Sequence, residues 1–558
     1  MRAPMPIPQL RTRAEATDYQ ETSRSADVVA FIDTLVGQTK LAKRVDFGQS
    51  GEGQPLISLV ISDRNCFTPE LAQKQKKIIV MVEANIHAGE VEGKETLLGL
   101  ARDLTLTSLG KKLLDRLCLV FVPNFNPDGN DRISPGNRAL DLKNLEGQVN
   151  PPGGVGTRYT GEGWNLNRDN MKQEAPETRA LAKLYQAWWP HLFVDCHTTD
   201  GSIHAFDLTF DIPHGNAELF HLSRDYNREL AERVSAAVKK KHGFDSFWYG
   251  NFLKEGDPRS GWHTYPALPR FGSHYRGLLG RLDVLLETYS YIDFPRRCAV
   301  IRAWVLELIR DAARYAKDYR AATSFEEAAI IARGRSPDVK DLVGINYGVP
   351  HRNAEGALVF DYPAYVLGKD IATINSFDEA SIEGRRYPGK RRKAYKSPHY
   401  RTFVPTHAVS TPSAYLVPAS LASRLEGHGI HFEKLATAER FQVDSYRIAR
   451  REQTFSPDVA ANVPAPGENE VPLSQKPKPV RFETILTVAA ERSEREFPAG
   501  TLKVPTDQRT GTLATYLLEP HSDDGFCRWQ FLDDSLTVGE LYPIHRVVEA
   551  TRAPLKVE

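Results

Sequence analysis

Four side chains near the ends of apolar segments have the chemistry of a catalytic metal site. His87 and Glu90 lie three residues apart in the segment IHAGE, which begins four residues after the end of the apolar run Ile78–Val82. His197 follows the apolar run HLFVD, and Glu287 ends the segment LDVLLE. Zinc binds imidazole and carboxylate, and a catalytic zinc has three protein ligands plus water, so His87, Glu90 and His197 are predicted to bind one zinc ion. Glu287 is then expected to accept a proton from zinc-bound water.

The segments before these residues indicate which elements must position them. Short apolar runs without alternation are typical of strands buried on both faces of a sheet, and four of them occupy 78–82, 117–129, 191–197 and 282–288. Segments with helical spacing lie between them, so we predict an α/β fold with a mostly parallel or mixed central sheet flanked by helices. Ligands of such sheets bind at the carboxyl ends of strands. The polar residues predicted to end buried strands are His87, Asn126, His197 and Glu287.

The composition of the chain changes near residue 330. With 558 residues the chain is too long for one ordinary hydrophobic core, so at least two domains are expected. Beyond about residue 330 helical patterns become rare, and short β-like runs such as ALVFDYPAYVL appear. We predict an extended N-terminal lead-in over 1–25, a catalytic domain over 26–325, and a β-rich accessory region over 326–558 in one or two subdomains.

The bulk composition argues against several kinds of partner and setting. The 72 basic and 71 acidic side chains give a formal net charge of +1, so no nucleic-acid partner is expected. No apolar run reaches the roughly 18 to 20 residues of a membrane-spanning helix. The five scattered cysteines argue against a disulfide framework and a cysteine zinc site. The N-terminus lacks the apolar stretch of a signal peptide, so the protein is expected to be secreted or periplasmic if a signal was removed, and cytoplasmic otherwise.

The order of motifs resembles the zinc carboxypeptidase family, which includes pancreatic carboxypeptidase A. The resemblance covers about residues 26–320, and the matched motifs are, in order, IHAGE, NPDG, NLNRD, DCH and LLET. It implies that His87, Glu90 and His197 bind one zinc ion per chain. It also implies that Glu287 is the general base of a zinc-water attack on the peptide bond, and that the enzyme removes C-terminal residues from peptides.

The resemblance also implies roles for arginines and neighbouring amides. Asn167 and Arg168, in NLNRD, would bind the free terminal carboxylate of the substrate, because the guanidinium group matches that planar anion. A second arginine of the family stabilises the oxyanion, and Arg138 in PGNRALD is the candidate here. Asp141 occupies the position of the family's oxyanion arginine, three residues after Arg138. The role is therefore expected to fall to Arg138, to Arg132 or to a different group.

Two further family positions have counterparts in this chain. The family has a mobile tyrosine some twenty residues before the general base; Tyr265 and Tyr275 both have suitable spacing, and Tyr275 is preferred because a strand begins soon after it. An aspartate of the family orients the first zinc histidine, and Asn165 occupies that position here. An amide oxygen can accept from the imidazole N–H but raises its basicity less than a carboxylate does.

The preferred terminal residue stays open at the level of sequence. Leu285 and Asp283 share a strand face with Glu287. Leu285 would favour an apolar or aromatic terminal side chain, and Asp283 would favour a basic one.

Two other functions are compatible with these motifs. The first is an amidase or deacylase of the same clan, acting on cell-wall peptides or acylated amino acids. The second is a binding protein without catalysis, against which the complete set of zinc ligands plus Glu287 argues.

Overall fold

The structure is a computed structural model that describes residues 10–199, 201–215, 221–254, 257–347, 349–352, 358–361, 365–366, 371–382, 385–455 and 482–548. Within these ranges the helices are α1 Arg13–Ala16, α2 Ser25–Gln38, α3 Pro69–Lys74, α4 Glu92–Leu106, α5 Pro127–Asp131, α6 Pro176–Trp188, α7 His221–His242, α8 Gly272–Gly277, α9 Phe294–Arg314, α10 Ala316–Arg335, α11 Ala422–Gly427 and α12 Gly511–Leu518.

The strands fall into a large N-terminal sheet and several smaller sheets. Those of the first 300 residues are β1 Ala42–Gln49, β2 Pro55–Ile61, β3 Ile78–Ala84, β4 Leu117–Val122, β5 Leu192–Thr199, β6 Leu208–Asp211, β7 Ser246–Trp248, β8 Asn251–Phe252, β9 Trp262–His263 and β10 Leu282–Tyr289. The remaining strands are β11 Leu342–Asn346, β12 Val349–Arg352, β13 Leu358–Asp361, β14 Tyr365–Val366, β15 Ile371–Ile382, β16 Arg385–Tyr400, β17 Thr402–Phe403, β18 His407–Ser410, β19 Ala414–Val417, β20 Glu433–Lys434, β21 Glu439–Phe455, β22 Phe482–Phe497, β23 Leu502–Pro505 and β24 His545–Val547.

The central sheet has eight strands in the order β1-β2-β4-β3-β5-β10-β6-β7. Its middle strands β4, β3, β5 and β10 are parallel to one another, while β1–β2, β2–β4 and β10–β6 are antiparallel pairs. Every residue of β3 and β5 is buried, because helices cover both faces of the sheet. The predicted α/β fold with a mixed central sheet is therefore confirmed, and the parallel strands bring their carboxyl ends to one edge.

Two consecutive helices follow β10. The apolar spacing over about 295–319 predicts one long helix, but α9 ends at Arg314 and α10 begins at Ala316. Tyr315 between them has φ −106° and ψ 29°, which interrupts the regular helical backbone. Asp293 caps the start of α9 by accepting the Arg296 N–H at 2.8 Å.

The C-terminal region is rich in strands, as predicted. Its largest sheet has six strands in the order β20-β23-β19-β24-β21-β22, all paired antiparallel. The predicted boundary at residue 325 falls inside α10, which continues to Arg335. The N-terminal lead-in is not wholly extended, since Arg13–Ala16 forms a helical turn with a Thr12–Glu15 capping box. Residues 1–9 of that lead-in lie outside the described residues.

The length and hydropathy of each helix were compared with those of a membrane-spanning helix. In the part of the chain that the structure describes, every helix is too short or too polar to cross a bilayer.

Candidate active site

Three predicted metal ligands meet at the carboxyl end of the central sheet. His87 Nδ1 lies 3.0 Å from Glu90 Oε1, and His197 Nδ1 lies 2.9 Å from Glu90 Oε2. Donor atoms of the three residues all lie within 4.8 Å of one another, and all three side chains are buried. Among the described residues this is the one group of three such side chains close enough to share a metal ion.

Local backbone geometry explains how these side chains converge. Strand β3 ends at Ala84, and Asn85 turns the chain in the left-handed region with φ +66°. An asparagine tolerates that conformation better than most residues. The following turn is closed by the Glu90 N–H donating to the His87 carbonyl at 2.9 Å. His197 lies on β5 itself, the strand beside β3, so the turn and the strand face each other.

Burial and neighbouring charges set the protonation states of the three predicted ligands. Burial and the nearby Arg158 guanidinium lower the pKa of His87 to about 3, which leaves its imidazole neutral. Burial would raise the pKa of Glu90, but His87 and Arg138 outweigh burial and hold that pKa well below its usual value. Burial would lower the pKa of His197, but Asp195 and Glu90 outweigh burial and raise that pKa well above its usual value. Zinc binds neutral imidazole and ionised carboxylate, so His197 has to release its proton when the metal ion binds. With that proton released, the donor set fits the cofactor.

Each histidine also has a polar partner on its second ring nitrogen. His87 Nε2 lies 3.2 Å from Asn165 Oδ1, the amide that sequence comparison placed there. His197 Nε2 lies 3.1 Å from Asp195 Oδ1 on the same strand. Sequence reasoning did not single out Asp195, although its position two residues before His197 puts both on one face of β5. Such partners fix the orientation of the ring.

A cavity of about 300 Å³ opens beside the three ligands. Its lining residues are His87, Glu90, Arg138, Arg158, Asn167, Arg168, Asp195, His197, Thr198, Thr199, Tyr249, Tyr265, Pro266, Phe271, Ser273, Leu285 and Glu287. Glu287 reaches it because β10 pairs with β5 in parallel and in a register that sets Glu287 directly beside His197. The fold thus brings the predicted base to the predicted ligands.

The predicted carboxylate-binding pair lines the same cavity. Asn167 and Arg168 follow Asn165 in a 3₁₀ turn, Leu166–Arg168. The Arg168 guanidinium carbon lies 4.1 Å from the centre of the Phe271 ring. Asn167 Oδ1 accepts the Gly272 N–H at 3.1 Å. Both side chains are therefore held against one loop, the segment 265–273.

Two arginines approach the metal ligands, and one of them was not foreseen. Arg138 Nη1 donates to Glu90 Oε1 at 3.1 Å, and Arg138 Nε donates to Gln148 at 2.9 Å. Arg158 Nη1 lies 3.2 Å from His87 Nδ1. Nothing around Arg158 in the sequence distinguishes it from a surface arginine. The alternative candidate, Arg132, pairs with Glu52 and does not line the cavity.

The preferred tyrosine does not reach the site. Tyr275 is buried in the core, and its hydroxyl lies 2.9 Å from His428 Nδ1. Tyr265, the second tyrosine of suitable spacing, lines the cavity and stacks on His274 with ring centres 4.6 Å apart. Tyr275 failed as a candidate because α8 turns it away from the sheet edge, a direction that spacing alone does not give.

The two candidates for the specificity pocket have different surroundings. Leu285 lines the cavity. Asp283 is fully buried below it and forms an ion pair with Arg276, which also lies 3.4 Å from Asp195. The guanidinium group therefore compensates the charge of Asp283.

A buried His–Glu–His donor set and a carboxylate, at the carboxyl edge of a mixed α/β sheet, define a zinc-dependent hydrolase. Residues 28–256 match the family model described as zinc carboxypeptidase. Together with the His–Glu–His group, this match confirms the class of enzyme and the zinc cofactor predicted from sequence.

This chain is similar to several proteins that are named carboxypeptidases. Carboxypeptidase 2 of Trichophyton tonsurans is 23% identical over 535 residues, covering 90% of this chain and 82% of the fungal protein. Carboxypeptidase 2 of Trichophyton rubrum is 23% identical over 528 residues, covering 89% and 81%. A solved metallo-carboxypeptidase from Burkholderia cenocepacia is 19% identical, with a TM-score of 0.37 and coverage of 52% of this chain and 69% of that chain.

Proposed function

We propose that this enzyme removes C-terminal residues from peptides at a zinc ion held by His87, Glu90 and His197. The observation that carries the proposal is their convergence within 4.8 Å on a cavity that Arg168 and Glu287 also line. Zinc, when bound, supplies Lewis-acid chemistry: it polarises a carbonyl oxygen and makes water more acidic. The remaining steps belong to side chains of the protein.

Arg168 and Asn167 bind and orient the substrate. The guanidinium group offers paired N–H donors to a planar carboxylate, and Phe271 holds it in a fixed plane. An aromatic face also limits the rotamers that a long arginine side chain can adopt. A substrate anchored by its terminal carboxylate presents its last peptide bond to the metal ligands.

Glu287 is the group that moves the proton. A carboxylate oxygen of Glu287 accepts a proton from the attacking water and later gives it to the nitrogen of the leaving amino acid. Its position in register with His197 supports this role, since adjacent strands are only about 4.8 Å apart.

Arg158 is the better candidate for stabilising the oxyanion. Arg138 Nη2 and Nε already donate to the Thr198 carbonyl and to Gln148, a fixed arrangement that suits support of Glu90. Arg158 comes within 3.2 Å of His87 and its side chain keeps 23% exposure, so it borders the cavity where a carbonyl oxygen would lie.

Arg158→Gln is expected to lower kcat by about 10²-fold or more, because a charged donor to the oxyanion is lost. Arg158→Lys is expected to recover part of that loss. Steady-state kinetics of both variants, beside Arg138→Gln, check the assignment. A loss of kcat confined to Arg138→Gln would transfer the role to Arg138.

The terminal side chain of the substrate is proposed to be apolar or aromatic. Leu285, Phe271 and Pro266 line the cavity, and Arg276 compensates the charge of Asp283 below it. A basic terminal residue would find no free carboxylate at Asp283.

The function is tested by paired substrates that differ only in their terminal group. Arg168→Met is expected to raise KM for a blocked dipeptide with a free C-terminus by about 10²-fold, because two charge-assisted hydrogen bonds are lost. Hydrolysis of the amidated analogue should stay equally poor in both proteins. Arg179→Met, an exposed arginine on α6, serves as the matched control and should leave KM unchanged. If the wild type hydrolysed only the amidated substrate, an amidase function would be favoured instead.

A further inference from the structure

The wall of the cavity that carries Arg168 is held from behind by the C-terminal region. Two segments build this wall, 166–173 with Asn167 and Arg168, and 265–275 with Tyr265 and Phe271. Residues from beyond position 420 contact both segments through buried polar groups. Asp524 contacts the segment 265–275, and His428 contacts both segments.

Asp524 is the counter-ion of a fully buried arginine. Its Oδ2 accepts the backbone N–H of Arg270 at 2.6 Å, and its Oδ1 accepts Arg270 Nε at 3.1 Å. Arg270 and Asp524 are 1% and 0% exposed. Glu483 lies farther from the guanidinium, at 3.4 Å. The Trp529 indole N–H donates to Asp524 Oδ1 at 2.7 Å and orients the carboxylate.

Arg270 directly precedes the residues that hold the carboxylate-binding pair. Phe271 packs on the Arg168 guanidinium, and the Gly272 N–H donates to Asn167 Oδ1. The Arg270 carbonyl accepts the Asn170 side-chain N–H at 3.0 Å, which closes the contact between the two segments. The backbone position of Phe271, and with it the plane of Arg168, therefore depends on where Arg270 is anchored.

His428 anchors the same wall at a second point. Its Nε2 lies 3.2 Å from the Met171 carbonyl, and its Nδ1 lies 2.9 Å from the Tyr275 hydroxyl. One residue of the C-terminal region thus joins the ends of both segments. The shared anchoring explains why Tyr275 is in the core rather than in the cavity.

We propose that Asp524 is a positioning residue for substrate binding, which acts through Arg270 and Phe271 on Arg168. A buried guanidinium needs a fixed counter-ion. When a neutral side chain replaces Asp524, Arg270 moves toward Glu483 or toward solvent. Either movement shifts the backbone of Phe271. The C-terminal region is then part of the carboxylate subsite. This inference rests on the proposed function, because it concerns the same carboxylate-binding arginine.

Asp524→Asn tests the inference, since asparagine keeps the shape and one acceptor but removes the charge. We expect KM for free-carboxylate dipeptides to rise about tenfold, while kcat changes less than about threefold, because a small displacement of a binding group weakens orientation more than chemistry. Trp529→Phe, which removes one hydrogen bond to Asp524, should raise KM in the same direction by a smaller factor. If Asp524→Asn does not fold, the KM of Trp529→Phe tests the same inference.

Glu519→Gln is the matched control. Glu519 is also a fully buried acid of the C-terminal region, paired with Arg546 and bonded to the Tyr415 hydroxyl at 2.7 Å. It should lower the melting temperature without raising KM. Equal rises in KM for Asp524→Asn and Glu519→Gln, or no rise for Asp524→Asn and Trp529→Phe, would overturn the inference. Failure of the wild type to hydrolyse any free-carboxylate substrate would instead overturn the proposed function.

Discussion

Glu287→Gln is expected to lower kcat by about 10³-fold or more while zinc stays bound at one ion per chain. Glutamine preserves the size and hydrogen bonding of the side chain but cannot accept a proton from water at neutral pH, and a positioned base typically contributes 10²- to 10⁴-fold. Glu287 is not one of the three residues whose donor atoms converge, so metal content should not change. Steady-state hydrolysis of a blocked dipeptide, together with zinc analysis of the same sample, checks both parts.

Glu287→Asp is the natural companion variant. It keeps the carboxylate but withdraws it by about one carbon–carbon bond, so an intermediate loss of kcat is expected. A kcat for Glu287→Gln within tenfold of the wild type would show that another group moves the proton. Loss of zinc from Glu287→Gln would show that this carboxylate supports the metal rather than the chemistry.

His197→Gln is expected to abolish both zinc binding and turnover. A catalytic zinc site with two protein ligands instead of three loses most of its affinity. The substitution also leaves the buried Glu90 carboxylate without a partner that lies 2.9 Å away. Glu90 Oε2 still accepts the Thr198 N–H at 3.1 Å. We therefore expect a lower melting temperature as well, with a cost of about 1.5–3 kcal/mol for one lost hydrogen bond to a charged group. Zinc content after dialysis and residual activity in added zinc are the measurements.

His191→Gln is the control for that variant. His191 directly precedes the strand that carries His197, and its Nδ1 accepts the Ile79 N–H at 3.1 Å. It should keep one zinc per chain and near wild-type kcat, even if stability falls. Retention of zinc by His197→Gln at the level of this control would contradict the assigned ligand set.

Much of the fold was predictable because its strands are encoded by short, uniformly apolar runs. The runs that became β3, β4, β5 and β10 are buried on both faces, and a parallel sheet is the arrangement that buries such strands. The convergence of His87, Glu90 and His197 followed from one rule, that parallel strands present their carboxyl ends at a common edge. The C-terminal strands were predicted as a class but not in order, because antiparallel pairing depends on long-range contacts.

The parts of the site that could not be predicted from the sequence depend on where a side chain points in the folded protein. Tyr265 lies 22 residues and Tyr275 12 residues before Glu287. Only Tyr265 lines the cavity, since α8 carries Tyr275 to His428. Arg158 is in an irregular segment without periodicity to fix its orientation. Asp524 is 254 residues from Arg270 in sequence, so no local pattern could have paired them.

The most direct test of the proposed activity is the product pattern from one unblocked peptide of about ten residues and its C-terminally amidated form, followed by mass spectrometry over time. The account predicts stepwise loss of single residues from the free C-terminus, no comparable loss from the amidated peptide, and no release after zinc is removed until zinc is restored. Internal cleavage, equal processing of the amidated peptide, or undiminished activity in the metal-free protein would contradict the assignment of a zinc carboxypeptidase site to His87, Glu90 and His197.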